Sequence, residues 1–326
     1  MKRGIILFNL GGPECLEDVR PFLYNLFSDP EIIRIKSDIL RRALALLIAT
    51  VRQGKSRDLY RQIGGGSPLR KITEAQAAAL SNVLAAKGCD TKVYVGMRCW
   101  KPGIDEAVNQ ILKDQITHLV LLPLFPQYSV TTTGSCLKYF HELDRKFGLS
   151  SKLQIQEIHR WFDEPLYVES MAGLIRQTIG EIRGGKGPDR LHLLYSAHSI
   201  PARYIDEGDP YLEQTRKSVA LINASLGDDF PCTLAFQSKV GPVKWLGPDT
   251  RDVLKELGKK PERAVIAIPI SFVSDHIETL QEIDIVYRDI ALNSGISEFR
   301  RVPSLNLDAK FIDALANLVL KTGVRH

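Results

Sequence analysis

Cysteine is scarce in this chain of 326 residues, and the few cysteines present exclude two classes of protein. There are five, and no two of them form a Cys-x-x-Cys pair: Cys15, Cys89, Cys99, Cys136 and Cys232. Scattered cysteines in odd number do not indicate a disulfide framework, and they lack the spacing of a zinc ribbon or a thiolate cluster. We therefore expect a protein of the reducing cytoplasm.

Long hydrophobic runs and blocks of one charge are also missing. No apolar stretch reaches the roughly 18–20 residues that a membrane-spanning helix needs, and the apolar run Ile5–Leu10 ends too early for a signal peptide. The net charge is only +5 and no five consecutive residues are Lys or Arg, so nucleic-acid binding is not expected. A composition of 44% hydrophobic and 25% charged residues is that of an ordinary globular protein.

Short β-rich runs alternate with longer helical patterns, which is typical of parallel sheets built from βαβ units. The pattern predicts strands at Gly4–Leu10, Lys92–Val95, Thr117–Leu122, Arg190–Ser196, Cys232–Phe236 and Ala264–Phe272. It predicts helices at Thr73–Lys87, Asp105–Lys113, Tyr211–Leu226 and Asp275–Leu292. Because the scheme occurs twice and the length suits about two domains, we expect two similar α/β halves, residues 1–155 and 156–326.

One predicted helix combines apolar and basic residues. Apolar side chains recur at helical spacing through Ile39–Val51, and Arg41 and Arg42 lie among them. A basic amphipathic helix of this kind can lie in a bilayer interface. A helix that buries its apolar stripe in the core is the simpler interpretation, and both stay open.

The loop Ser196–Pro201 holds a candidate catalytic residue, His198, directly after a predicted strand. In open α/β sheets, ligands bind beyond the carboxyl ends of the strands. Imidazole changes charge near neutral pH, so it suits proton transfer or metal ligation. The alternative is a histidine that is only hydrogen-bonded within its loop.

A second candidate segment, Ser271–Leu280, also follows a predicted strand. On an α-helix Asp275, Glu278 and Glu282 would share one face, opposite a core-facing set: Leu280, Ile283, Tyr287 and Ile290. Such a row could pass a divalent cation inward, and His, Glu and Asp suit ferrous iron that is held only briefly. The alternative is a capping box of Asp275 and Glu278, with Glu282 merely solvated.

Two glycine-bearing segments do not favour nucleotide binding. Gly64–Pro68 lacks the Gly-Lys-Ser/Thr ending of a P-loop, and Asn9–Pro13 lacks the spacing of a dinucleotide fingerprint. A flexible hinge before a helix, with Ser67 as its cap and Pro68 in its first turn, is the favoured interpretation.

Five blocks of the sequence resemble the ferrochelatase family, in that family's order. They are YRQIGGGSP at 60–68, LFPQYSVTTTGS at 124–135, YSAHSIP at 195–201, FQSKVGPVKWLGPDT at 236–250 and SDHIETL at 274–280. The similarity extends from Leu7 to about Leu320. The resemblance implies two Rossmann-like, chelatase-like halves with a porphyrin cleft between them. It also implies insertion of Fe²⁺ into protoporphyrin IX, the last step of haem synthesis, with release of two protons.

The resemblance assigns roles residue by residue. His198 matches the histidine associated with pyrrole proton removal and with the metal, and Glu278 matches its acidic partner in metal binding or proton exit. Asp275, His276 and Glu282 fit a proton or metal path beside that pair. The positions that contact the porphyrin are matched by Arg52, Tyr60 and Ser67, with Arg52 suited to a propionate.

The resemblance also bears on cofactors, partners and location. The chain stops at His326 without the cysteine-bearing extension of members with a [2Fe-2S] cluster, so no cluster and no permanent cofactor are expected, and a monomer stays open. The segment of about residues 39–66 would form an apolar lip, which favours peripheral contact of a cytoplasmic bacterial enzyme with the inner membrane. Two alternatives remain: a chelatase for another metal or tetrapyrrole, and a non-catalytic haem or metal carrier.

Overall fold

The computed structural model describes residues 2–184, 190–227, 230–241, 243–259 and 263–323. The chain forms two compact units, one of Met1–Trp161 with Ile312–His326 and one of Phe162–Phe311. This division differs from 1–155 and 156–326 chiefly in the final helix, which returns to the first unit. The return could not be predicted, because the periodicity of a helix does not show which sheet it packs against.

The first unit contains a parallel sheet with the strand order β2-β1-β3-β4. Its strands are β1 (Arg3–Asn9), β2 (Lys92–Met97), β3 (His118–Pro123) and β4 (Gln154–Glu157). Residues 5–8 of β1 have no exposed surface. A strand covered on both faces by helices needs such an unbroken apolar run, which is why the run was readable in the sequence.

The helices of the first unit are α1 (Val19–Ser28), α2 (Asp38–Arg61), α3 (Leu69–Ala86), α4 (Ile104–Lys113) and α5 (Ser135–Phe147), with a π-helical turn at Val130–Gly134 and a 3₁₀ turn at Leu149–Ser151. The side chain of Ser37 caps α2 by accepting from the Leu40 amide. Ile104 and Val108 of α4 and Phe140 of α5 join Phe8 in the core of this unit.

The second unit repeats the arrangement, with the strand order β6-β5-β7-β8, again all parallel. Its strands are β5 (Arg190–His198), β6 (Cys232–Gln237), β7 (Arg263–Pro269) and β8 (Glu298–Arg301). In each sheet the first strand lies between the second and the third. The prediction of two similar Rossmann-like halves is therefore confirmed.

The helices that follow β4 are α6 (Pro165–Gly184), α7 (Ala202–Asp206), α8 (Tyr211–Leu226), α9 (Thr250–Gly258), a π-helix (Glu278–Tyr287), α10 (Arg288–Asn293) and α11 (Ala309–Lys321). Within the described ranges, no helix combines the length and the apolar character needed to cross a bilayer.

The helix predicted over Asp275–Leu292 differs from the expectation in its hydrogen bonding. Ten of its residues form a π-helix, whose i→i+5 hydrogen bonds widen the turn. The wider turn changes which side chains face the core. Ile283 and Tyr287 are buried as predicted, but Thr279 is buried in place of Leu280, which is only partly covered.

The glycine segment before α3 is a docked turn, whereas the sequence predicted a flexible hinge. The Ser67 amide donates to the Pro13 carbonyl at 2.7 Å, and a Cβ on Gly66 would lie only 2.1 Å from the Glu14 carbonyl oxygen. The glycine is needed because two stretches of backbone approach each other closely. Pro68 lies just before the first residue of α3, and Ser67 Oγ accepts from the Leu69 amide at 3.3 Å.

Candidate active site

His198 is the last residue of β5, so it lies at the carboxyl end of the second sheet. The register of β5 on β6 places it opposite Gln237. Two bonds fix its backbone: the hydroxyl of Tyr211 donates to the His198 carbonyl at 2.9 Å, and the Ser199 amide donates to the Gln237 carbonyl at 2.9 Å. The loop thus presents the imidazole from a rigid strand end.

Glu278, the first residue of the π-helix, places its carboxylate between two imidazoles. Its Oε1 lies 3.3 Å from His198 Nε2, and its Oε2 lies 3.4 Å from His276 Nε2. His276 Nδ1 lies 3.0 Å from the Ser274 carbonyl oxygen. Because a carbonyl only accepts, Nδ1 is assigned the proton, and this fixes the ring with Nε2 towards Glu278.

Phe272 covers the two imidazoles on one side. Its ring centroid lies 4.6 Å from that of His276 and 6.4 Å from that of His198, the second contact being edge-on. The His198 side chain nevertheless keeps 36% of its surface exposed and that of Glu278 24%, so the pair stays accessible from another side.

The charges of the pair shift both pKa values. Burial alone would lower the pKa of His198, but the negative charge and hydrogen bond of Glu278, with a smaller contribution from Glu282, raise it to about 9. Burial alone would raise the pKa of Glu278, yet the neighbouring His198 and His276 hold it well below its usual range. At neutral pH the resting pair is therefore an imidazolium facing a carboxylate.

Glu282 is held by three residues around it. Its carboxylate accepts from Gln237 Nε2 at 3.1 Å, from the Ser238 amide at 3.2 Å and from the Tyr287 hydroxyl at 2.7 Å, and the Ser238 hydroxyl also donates to it. Glu282 is thus a bonded, largely buried group, and the interpretation as a merely solvated side chain does not hold. Burial and the charge of Glu282 together raise the pKa of Tyr287.

Gln237 joins the elements of the site. Its Nε2 also donates to the Glu278 carbonyl at 3.2 Å, and its Oε1 accepts from the Ser196 hydroxyl at 2.6 Å. Ser238 adopts a φ of 64°, a left-handed conformation that is uncommon outside glycine. The last residue of β6 and the residue after it therefore contribute two side chains that bond to the π-helix.

The Asp275 carboxylate is bonded to its own set of side chains, those of Arg301, Ser304, Asn306 and Thr279. It pairs with Arg301 at 3.0 Å. Its side chain accepts the Thr279 hydroxyl instead of a backbone amide, and no side chain caps the π-helix, so the alternative of a capping box is also not observed. Across the described ranges of the chain, no three His, Cys, Asp or Glu side chains are grouped so that they could hold a metal ion.

Arg52, Tyr60 and Ser67 lie in the first unit. Arg52 and Tyr60 belong to α2, and Ser67 precedes α3. The Arg52 guanidinium lies 5.6 Å from the centroid of Phe27, and burial lowers its pKa. Tyr60 and Ser67 are buried.

Sequence reasoning missed several residues of the second unit that hold the site: Tyr211, Gln237, Ser238, Arg301 and Asp284. Gln237 and Ser238 lie in a block whose resemblance was noted, so that block could have indicated them. Arg301 and Asp284 carry no such signal, because charged residues in a short edge strand and on a helix resemble ordinary surface groups.

Comparison with known proteins agrees with the resemblance. The family model named Ferrochelatase matches residues 2–322. A ferrochelatase of Gloeothece citriformis is 51% identical over 320 residues, which are 98% of this chain and 82% of that protein. A ferrochelatase of Gloeobacter violaceus is 49% identical over 98% of this chain and 97% of its own length.

Solved structures extend the likeness to the fold. SirB from Bacillus subtilis with Fe³⁺ superposes with a TM-score of 0.56 at 13% identity, over 99% of this chain and 96% of that chain. The sirohydrochlorin chelatase SirB from Bacillus subtilis subspecies spizizenii, in complex with cobalt, gives 0.56 at 12% identity, over 99% and 95%. At such identities the likeness concerns the fold alone. On its family model and its cyanobacterial relatives, this chain belongs to the ferrochelatase family.

Proposed function

We propose that this chain inserts ferrous iron into protoporphyrin IX, giving protohaem and two protons, with His198 and Glu278 as its catalytic residues. Family membership supports the reaction. The observation that supports the site is the contact of 3.3 Å between His198 Nε2 and Glu278 Oε1 at the carboxyl end of β5, where ligands bind in open α/β sheets.

The first chemical requirement is a base. A free-base porphyrin carries two N–H protons where the metal must enter, and a positioned side chain has to accept them. His198 can accept a proton only as neutral imidazole. Because its pKa is about 9, it must first lose the proton that it carries at neutral pH.

Binding of iron itself promotes the loss of the proton from His198. A divalent cation arriving at the Glu278 carboxylate offsets the negative charge that keeps His198 protonated. Binding of a metal to groups of this kind releases protons. Arrival of iron and loss of the imidazolium proton to solvent are thus coupled. The freed Nε2 of His198 then accepts the two pyrrole protons one after the other, passing the first on before it takes the second.

His276 and Glu282 continue the path for protons or metal. His276 Nε2 faces the second oxygen of Glu278, and Gln237 bonds both to the Glu278 carbonyl and to the Glu282 carboxylate. Asp275 belongs to the same path by resemblance, although its carboxylate is occupied by donors in the resting protein.

Arg52, Tyr60 and Ser67 contact the porphyrin in this proposal, with the Arg52 guanidinium bound to a propionate, which suits its fork of donors. Iron is a substrate, and we propose that the enzyme keeps no permanent cofactor and no iron–sulfur cluster. Three of its cysteines, Cys89, Cys99 and Cys136, are buried, while Cys15 and Cys232 are exposed.

The enzyme, a cytoplasmic monomer in this proposal, contacts the inner membrane through α2 within the lip of residues 39–66. This helix buries Ala45 and Ala49 but exposes a set of larger apolar side chains: Ile39 (81%), Leu40 (62%), Leu47 (60%) and Val51 (73%). Arg42, also exposed and paired with Asp38 at 2.8 Å, can attract anionic lipid headgroups.

Anaerobic mixing of the protein with protoporphyrin IX and Fe²⁺, followed by visible absorption, tests the function. We expect the four free-base bands to collapse into the metalloporphyrin pattern at catalytic protein concentration. In His198→Ala the turnover should fall by about 100-fold or more, since it loses the proton acceptor, while porphyrin still binds.

His159→Ala is the matched control. His159 Nε2 also faces a glutamate oxygen, that of Glu157 at 3.4 Å, but the ring is exposed and lies in the first unit. This variant should keep normal turnover. Persistent free-base bands with bound porphyrin in the unaltered protein would favour a carrier, and normal turnover in His198→Ala would refute the assignment of the base.

A further inference from the structure

Arg301 forms a two-sided ionic clamp at the end of β8. Its Nε and Nη2 donate to the two oxygens of Asp284 at 2.7 and 2.9 Å, and its Nη1 donates to Asp275 Oδ1 at 3.0 Å. The Arg301 side chain is only 10% exposed. A guanidinium offers donors in a rigid fork, so it fixes the directions as well as the distances of both carboxylates.

Asp275 is bonded on every side. Besides Arg301, its carboxylate accepts from Ser304 Oγ at 2.8 Å, Asn306 Nδ2 at 2.8 Å and Thr279 Oγ1 at 3.0 Å. Its own amide donates to Asn306 Oδ1 at 2.9 Å. A carboxylate with this many donors is ionised and immobile, which makes it an anchor for the backbone that precedes the π-helix.

The two aspartates that Arg301 holds lie on either side of Glu278 in the sequence. Asp275 lies three residues before Glu278, and Asp284 lies six residues after it, inside the π-helix. π-helical hydrogen bonding is rare over more than one turn, so a ten-residue stretch requires support from its surroundings. Arg301 supplies that support from β8, a strand that pairs with β7 in the same sheet as His198.

We propose that Arg301 is a positioning residue for iron insertion: by holding Asp275 and Asp284 together, it keeps the π-helix in the geometry that places the Glu278 carboxylate on His198. This inference rests on the proposed role of Glu278. Of the residues proposed for the path, Arg301 contacts Asp275, and the inference is that its effect on catalysis passes through the position of the Glu278 carboxylate.

Arg301→Lys is the first test, because a lysine keeps the charge but reaches only one carboxylate with a point contact. We expect kcat/KM for Fe²⁺ to fall roughly 10- to 100-fold, as displacements of about an ångström do at active sites, while KM for protoporphyrin IX stays unchanged. If the lysine variant folds poorly, Asp284→Asn replaces it as the test, because it keeps Arg301 and the shape of the clamp. It should likewise lower kcat/KM for Fe²⁺ and leave KM for protoporphyrin IX unchanged.

Arg300→Lys is the matched control. Arg300 neighbours Arg301 on β8 and pairs with Glu298 at 3.0 Å, but it is exposed. Its replacement should leave both kinetic constants and the melting temperature unchanged. A purely structural role of Arg301 would lower the melting temperature without changing kcat/KM for Fe²⁺ per folded molecule, and that result overturns the proposal.

A double-mutant cycle with Glu278→Gln separates this inference from the proposed function. If Arg301 acts through Glu278, Arg301→Lys causes no further loss in the Glu278→Gln background. Additive losses overturn the inference and leave the catalytic role of Glu278 intact. Normal metalation by Glu278→Gln alone overturns both that role and the inference, and absence of metalation in the unaltered protein refutes the function itself.

Discussion

A carboxylate shared by two imidazoles is the central feature at the scale of residues. Both oxygens of Glu278 already face a ring nitrogen, at 3.3 Å from His198 and 3.4 Å from His276. An arriving cation must therefore compete with an imidazolium for the carboxylate. A site of this kind holds iron weakly enough to release it, because the displaced partner stays close and can return.

The pKa of His198 predicts a pH dependence of metalation. Between about pH 6.5 and 8.5 we expect kcat/KM at low iron to rise about tenfold per pH unit, because the neutral base is a minority below its pKa of about 9. In Glu278→Gln the rise should shift to lower pH, because the main charge that raises the pKa of His198 is gone. The measurement is the initial rate at several pH values.

Glu157→Gln provides the control for this profile. The Glu157 carboxylate faces His141 at 3.3 Å and His159 at 3.4 Å in the first unit. The substitution therefore removes a carboxylate that also lies between two imidazoles, but between more exposed ones. Its profile should match that of the unaltered protein. A rate that does not change over this pH range would contradict the assignment of His198 as the base.

The two catalytic candidates could be predicted at the residue scale, but their surroundings could not. His198 and Glu278 follow strands in unusual loops, and the rule that ligands bind at strand ends applies to them directly. The contacts of Gln237 depend on the register of β6 on β5, and a sequence does not state which residues of two strands lie opposite each other.

At the scale of elements, several periodic segments were predicted with nearly correct bounds, whereas two short strands and some helices, among them α6 with its 20 residues, were not predicted. The helix Tyr211–Leu226 has the predicted bounds, and β1 differs from Gly4–Leu10 by one residue at each end. The strands β4 and β8 are four residues long and lie at sheet edges. They are too short for a pattern to be distinguished from a loop.

The π-helix could not be predicted either. Its apolar spacing fits an ordinary helix over Asp275–Leu292, and the choice of i→i+5 bonding depends on contacts made elsewhere in the unit. Gln237, Ser238 and Arg301 all reach this segment from the ends of strands. Tertiary contacts therefore decide its geometry, and local propensity does not.

Helix α2 gives a prediction for membrane binding. In a variant with serine at positions 40, 47 and 51, in place of Leu40, Leu47 and Val51, binding to vesicles containing anionic lipid should weaken by about tenfold or more. The reason is that burial of each apolar side chain in the bilayer interface makes the free energy of binding more favourable. The melting temperature should change little, because these residues are exposed. Co-sedimentation with vesicles is the measurement.

Leu292→Ser is the control for this helix, since Leu292 is an exposed apolar residue of α10 in the second unit. It should leave vesicle binding as it was. Equal binding by the triple variant and the unaltered protein would mean that α2 does not face a membrane.

At the scale of the whole molecule, the two units share one strand order, yet the first unit is built from two separate stretches of chain. Ile312, Leu315 and Val319 of α11 are buried, and Lys87 lies 3.5 Å from Asp313. The repeated βαβ pattern was visible in the sequence, but this return of the chain was not.

A chain that ends at Phe311 tests whether α11 stabilises the first unit. It loses five buried side chains of α11, those of Ile312, Ala314, Leu315, Ala316 and Val319, so the free energy of unfolding of the first unit should fall by more than about 4 kcal/mol. Urea unfolding followed by circular dichroism measures the change, and a chain ending at Lys321 serves as the control. Equal unfolding midpoints for the two truncated chains would show that α11 does not stabilise the first unit.

The split first unit also determines when each part of the enzyme can mature during translation. The ribosome produces Phe162–Phe311 whole before it produces Ile312, which completes the unit begun by the amino terminus. The half that bears His198 and Glu278 can therefore fold while synthesis continues. The half that bears Arg52 and Tyr60 can complete its fold only after the residues from Ile312 onward have been made.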